Sequence, residues 1–403
     1  MTDPRHQKLA QALIHYALGI RPGDKLLIAS TPLAAPLLRE VYREALRAGG
    51  HPDVQIELEE LQEIKLREGS DAQLQYLSQP RLSEADYYDA QLRIGATENT
   101  MALSAIDPQR IVMAHQARSP ISTRLSARTA RRELRRTGTL FPTLAYAQQA
   151  GMALADYEDF VYNACLLDRD DPAAAWRALA AEWQRIADFL AARDEIRIVA
   201  PGTEVTYRVG GRTWINSSGS NETGSLNFPS GEVYTAPIED SVNGTVRFTY
   251  PAIYQGNVVE DVRLTFRDGK VVQASATRGL GLLEAMLDLD AGSRSLGEVA
   301  FGLNENISRF TGNILFDEKI GGTMHMALGQ AYLNSGGKNT SALHWDLICD
   351  LRQGQVYADG KLCYEAGGSR SDGSLARCVG DVGAHDGDKT WQLPRQVVEL
   401  LVK

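Results

Sequence analysis

Histidine is scarce in this 403-residue chain, with seven in all, yet His325 and His344 fall within 20 residues of each other. In "SALHWDLICD", His344 and Asp346 are two positions apart, so on a strand both side chains point to one face. An imidazole beside a carboxylate on one face is half of a divalent-cation site. His325, in "FDEKIGGTMHMALGQAY", lies among residues able to open a helix, which would put Tyr332, seven positions on, on the same helical side. Two more carboxylates each follow a glycine: Glu232 in "NFPSGEVYTAP" and Glu298 in "SRSLGEVAFGLN", 66 residues apart. Pro229 and Pro237 fix the backbone around Glu232 and Gly231 frees it, which suits a surface turn or a ligand that must not move. Taken one at a time, these residues also fit a core histidine or a solvated acid. Taken together, two Glu, two His and one Asp form an oxygen and nitrogen donor set for metal.

Such a set needs elements to carry it. "DPRHQKLAQALIHYALGI" opens with a helix-start Asp-Pro pair and repeats apolar residues at helical spacing. "GDKLLIAS" (23–30) reads as a strand, "PLAAPLLREVYREALRAGG" (32–50) as a helix ending on a glycine pair, and "DVQIEL" (53–58) as a second strand. "ADYYDAQLRIGA" (85–96) and "QRIVMAH" (109–115) are further expected strands. This rhythm predicts an α/β domain over 1–190 with a mostly parallel sheet. Residues 126–193 read as largely helical. There "ARTARRELRRTG" puts Arg128, Arg131, Arg132, Arg135 and Arg136 on one helix, either as a solvated face or as an anion site. Trp176, Leu179, Trp183, Ile186 and Leu190 form a helical core stripe.

Past about residue 190 the pattern changes to short strands separated by glycines, with "RDGK" (267–270) as a hairpin turn and "GLLEAMLDLD" as an intervening helix. This predicts an α+β domain of mainly antiparallel strands over 191–370. Residues 371–403, rich in Gly and Asp, read as a tail or appendage; His385 and Asp386 lie in it.

The bulk numbers narrow the functional classes. A net charge of −9 argues against gripping a phosphate backbone, so no nucleic-acid partner is expected. No run approaches the ~20 apolar residues that span a bilayer. Cysteines 165, 349, 363 and 378 form no CxxC pair, and the N-terminus lacks a secretory pattern, so a reduced, cytoplasmic protein is expected.

Several segments resemble one family in its order. They are "KLAQALIHYALGIRPGDKLLI", "LLREVYREALRAGGHP", "FPTLAYAQQAGMALADYEDFVY", the two Gly-Glu-Val segments, "FDEKIGGTMHMALGQAY", "HWDLICD" and "VYADGKL". From about residue 7 to 367 the chain resembles the thermophilic aminopeptidases, the family of aminopeptidase T, aminopeptidase S and PepS. The resemblance implies a metal-dependent aminopeptidase, a homodimer that removes N-terminal residues from peptides with a free amino group. It implies two divalent ions (zinc, cobalt, manganese or magnesium) on Glu232, Glu298, His325, His344 and Asp346, with Glu298 bridging. Tyr332 matches a tyrosine of the family's metal site and is expected to stabilise the oxyanion. Glu318, in "LFDE", matches an acidic position and is expected as general base or auxiliary ligand. A hydroxide held between the ions would then attack the scissile carbonyl. Two other readings fit a related fold: a dihydroxypyridine-type dioxygenase with one iron on a reduced His/His/Asp set, and a non-catalytic binding protein.

Overall fold

The computed structural model describes residues 3–254 and 256–365. The expected tail, with His385 and Asp386, lies outside them. The described chain forms two compact units, one of 3–176 with Gly219–Pro229, the other of Arg177–Ser218 with 230–365.

The first unit is built on a four-stranded parallel sheet. Its strands are Lys25–Ser30 (β1), His51–Ile56 (β2), Ala90–Gly95 (β3) and Arg135–Leu140 (β4), in the order β2-β1-β3-β4. Parallel neighbours need crossovers, and helices such as Ala35–Arg47 supply them. That helix buries Leu37, Val41, Glu44 and Ala45, one face at helical spacing. The expected α/β layer is present, with two corrections. "QRIVMAH" is not a strand but part of a helix, Pro108–Ala117; Asp107 accepts from the Gln109 amide at its start and proline sits in its first turn. A four-residue apolar run fits either element, and here the cap decides. The five arginines are also not on one helix: Arg128 is in the last turn of the helix Ser119–Ala130, Arg132 has φ 58°, and Arg135 and Arg136 are in β4. Arg128 donates to the carbonyls of Ala85 and Tyr88, and Arg135 pairs with Asp24, which are tasks inside the fold.

The second unit carries the strands Glu195–Ala200 (β5), Thr203–Arg208 (β6), Ile215–Ser217 (β7), Glu232–Thr235 (β8), Asn243–Arg247 (β9), Ala252–Tyr254 (β10), Asn257–Val259 (β11), Arg263–Arg267 (β12), Lys270–Ser275 (β13), Leu296–Gly302 (β14), Thr323–Gly329 (β15), His344–Asp350 (β16), Gln355–Ala358 (β17) and Lys361–Glu365 (β18). They form a seven-stranded sheet, β13-β12-β9-β6-β5-β17-β18, a five-stranded sheet, β16-β15-β14-β8-β7, and the ribbon β10-β11. Every pairing in them is antiparallel. The five-stranded sheet is the one that matters for chemistry. All residues of β8, β14 and β15 are buried, so both faces of these strands are covered.

Candidate metal centre

Register puts the predicted donors on one face of the five-stranded sheet. Glu232 on β8 pairs with Gly302 on β14, Ala300 on β14 pairs with His325 on β15, and Ala327 on β15 pairs with both Glu298 and Asp346. Directly opposite residues share a face, as do residues two apart on a strand. Glu232, Tyr234, Glu298, His325, His344 and Asp346 therefore project together. The residues between them are small, namely Ala300, Gly302, Ala327 and Gly329. The opposite face of the same strands carries Val233, Val299, Phe301, Met324, Met326, Trp345 and Leu347, all buried apolar residues. His325 thus stands in mid-strand, and the helical relation expected between it and Tyr332 does not exist. A segment with Met, His and Met in alternation is a strand with one apolar face and one chemical face.

The distances are those of a shared site. His325 Nε2 lies 3.2 Å from Glu298 Oε1 and 3.4 Å from Glu232 Oε2. His344 Nε2 lies 3.8 Å from Glu298 Oε2 and 3.7 Å from Asp346 Oδ1. Three donor groups result, each with its ligand atoms within 4.8 Å of one another: Glu232 with Glu298 and His325, Glu298 with His344 and Asp346, and Glu318 with His325 and Asp346. Glu298 belongs to two of them, and its Oε1 faces His325 while its Oε2 faces His344.

Glycine explains how both Gly-Glu-Val segments hold their acids. Gly231 has φ 139°, and a β-carbon there would lie 2.5 Å from Asn304 Cβ. Gly297 is the extra residue of a bulge in β14, where Leu296 faces Leu328 while Glu298 faces Ala327. Asn304 ties the loops together: its side-chain amide donates to the Ser230 carbonyl at 2.9 Å and its main-chain N–H to the Lys319 carbonyl at 3.0 Å.

Glu318 follows the short helix Ile314–Asp317, whose start is capped by the Asn313 side chain and whose Asp317 accepts from the Thr311 amide and hydroxyl. Its carboxylate takes an ion pair from Lys319, a side chain with no solvent exposure. Tyr332 precedes the single turn Leu333–Ser335, and its ring packs 5.1 Å from His344 and 5.5 Å from Tyr234.

Burial and like charge dominate the electrostatics. Burial, with Glu318 and Glu298 adding repulsion, pushes Glu232 up to about 7 against the pull of Lys319 and His325. Burial also raises Glu318. For His325, burial opposes the charged form, but the hydrogen bond to Glu298 and the charges of Glu232 and Asp346 prevail and carry it to about 10. The same contest raises Lys319, where Glu318 and Glu232 outweigh burial. A sheet face that crowds carboxylates this closely calls for cations.

The donors fit divalent ions on independent grounds. Glu232 Oε2 and Glu298 Oε2 are buried without a hydrogen-bond partner among the described residues, an arrangement that costs free energy unless something binds there. His344 Nδ1 lies 2.8 Å from the Gln330 carbonyl, so it donates its proton there and leaves the Nε2 lone pair facing the carboxylates. Oxygen and nitrogen donors without thiolate suit zinc, cobalt, manganese or magnesium. All five predicted ligands, together with Glu318 and Tyr332, meet at this face. Sequence reading passed over Lys319, Gln330 and Asn304. Lys319 adjoins Glu318 in "DEKIGG", but nothing in its type distinguishes a buried lysine from a solvated one, and Gln330 acts through its backbone.

Comparisons with known proteins give the family. The thermophilic metalloprotease (M29) family matches residues 2–366. The chain is 33% identical to aminopeptidase 2 of Geobacillus stearothermophilus, over 88% of this chain and 94% of that protein. It is 30% identical to aminopeptidase T of Thermus aquaticus, over 68% and 74%. Among solved structures it is similar to wild-type AmpT from Thermus thermophilus, with a TM-score of 0.78 and 25% identity over 90% of this chain and 98% of that one. With a family match along nearly all of its described length, the chain belongs to the thermophilic metalloproteases (M29), enzymes that hydrolyse peptide bonds.

Proposed function

We propose that this chain is an aminopeptidase that releases N-terminal residues from peptides and works with two divalent cations held by Glu232, Glu298, His325, His344 and Asp346. The observation that carries the reading is the double reach of Glu298, with Oε1 toward His325 and Oε2 toward His344, a placement that would let one carboxylate serve both cations. When bound, two such cations supply Lewis acidity and ionise water near neutral pH.

The protein's own groups do the rest. Glu318, fixed beside His325 and Asp346, accepts the proton of the attacking water and passes it to the leaving amine. Tyr332, exposed at 41%, donates a hydrogen bond from its hydroxyl to the carbonyl oxygen as negative charge develops. A free α-amino group would add one more nitrogen donor at this site, which an acetylated amide nitrogen cannot, so an unblocked peptide is favoured over a blocked one. The reading extends to a homodimer in the cytoplasm, for which sedimentation and cell fractionation are the checks.

The test is hydrolysis of an unblocked leucyl peptide after chelation and after return of zinc, cobalt, manganese or magnesium. Cation-restored release of leucine, absent for the N-acetylated peptide, is the expected result. Oxygen uptake with one bound iron and no leucine release would sink it.

A further inference from the structure

Lys319 is sealed inside the protein, so no peptide can touch it, and a buried ammonium is retained only where charges compensate it. Its partner in the structure is the Glu318 carboxylate. Glu232 and Asp346 also act on it electrostatically. Its backbone is held as well, because the Lys319 carbonyl accepts the Asn304 amide.

Glu318 stands in an ambiguous place. One of its oxygens lies within 4.8 Å of donor atoms of His325 and Asp346, close enough for all three to share a cation. A carboxylate drawn into coordination loses the basicity that proton transfer needs. Something must hold it back. We propose that Lys319 is a positioning residue that retains the Glu318 carboxylate outside the cations' ligand set and so keeps it available for proton transfer. The inference rests on the aminopeptidase reading for its chemistry, but its test has a part that does not.

The test uses the full chain, Co²⁺ as the probe and the variant Lys319→Met, which keeps length and removes charge. Calorimetry counts the cobalt bound, the visible spectrum reports its coordination, and leucyl-peptide kinetics separates kcat from KM. The expected outcome is unchanged cobalt stoichiometry, an altered cobalt spectrum as Glu318 joins the ligands, and kcat lower by about 100-fold with KM near the wild-type value. In a Glu318→Gln background, adding Lys319→Met changes neither spectrum nor kcat further. An unchanged spectrum and kcat in Lys319→Met overturns the proposal. Lost cobalt binding also overturns it, in favour of a role in assembling the ligands. If the single variant does not fold, the double variant removes both charges together, and its comparison with Glu318→Gln decides: identical spectra support the proposal and different spectra refute it. Should the wild type release no leucine with any cation, the aminopeptidase reading fails, while the cobalt spectra still decide the role of Lys319.

Discussion

Gly297 packs so closely against Gln330 that a β-carbon at residue 297 would lie 2.2 Å from the Gln330 carbonyl oxygen. That same oxygen accepts the Nδ1 proton of His344 at 2.8 Å. The glycine before Glu298 thus also protects the group that orients His344. One residue without a side chain serves both ends of the site.

Gly297→Ala is therefore expected to damage cation binding. The clash is with backbone, which has little room to yield, so about 1–3 kcal/mol of stability is lost. With Gln330 displaced, His344 loses its orientation and cation affinity falls about 10–100-fold. Calorimetric titration with zinc and thermal unfolding of the cation-free protein measure the two effects. Wild-type affinity in this variant would refute the link between Gly297 and His344.

Glu298→Gln tests the bridge. An amide cannot serve two cations as a carboxylate does, so the loaded enzyme should lose at least about 100-fold in activity. The cation-free variant should fold as the wild type does, since a glutamine carbonyl can still accept the 3.2 Å hydrogen bond from His325 Nε2 and Glu298 Oε2 has no partner among the described residues to lose. Circular dichroism and metal analysis check both halves, and full retention of two cations would count against bridging.

Cation affinity should rise with pH. In the cation-free protein Glu232 holds its proton up to about 7 and His325 up to about 10. Coordination needs the carboxylate and the neutral imidazole, so binding must expel these protons, and lowering pH through 7 strengthens the competition. Titrations in buffers of different ionisation enthalpy should show protons released on binding at pH 7. Buffer-independent enthalpies at that pH would contradict the coupled protonation.

Tyr332→Phe should separate chemistry from fold. The residue is 41% exposed, and its ring contacts with Tyr234 and His344 survive loss of the hydroxyl. A drop in kcat of about 10²–10³-fold with unchanged melting temperature is expected if the hydroxyl stabilises the oxyanion. Unaltered kcat would remove Tyr332 from the reaction.

Much of this site was legible before any fold was known, because its residues are chemically distinctive. A His-x-Asp pair on a strand has one geometry available, and β16 adopts it. Each glutamate behind a glycine marked constrained backbone, and packing at Gly231 and Gly297 accounts for both. His325 was harder to place. "GGTMHMALG" fits helix or strand by local preference, and the pairing of β15 between β14 and β16 settles it as strand. The arginine-rich segment erred for a similar reason, since a turn at Arg132 and the pairing of β4 with β3 are not local properties.

By itself, then, the sequence determined the donor types, the stiff backbone around two of them, the sequence of α/β and antiparallel regions, and the family. Only the tertiary structure decided which oxygen of Glu298 meets which imidazole, that Gln330 orients His344, and that Lys319 lies within the acidic site. The physical reason is range. Residue type and spacing act over a few positions along the chain, whereas cross-strand register and the burial of a charge depend on partners far away in sequence.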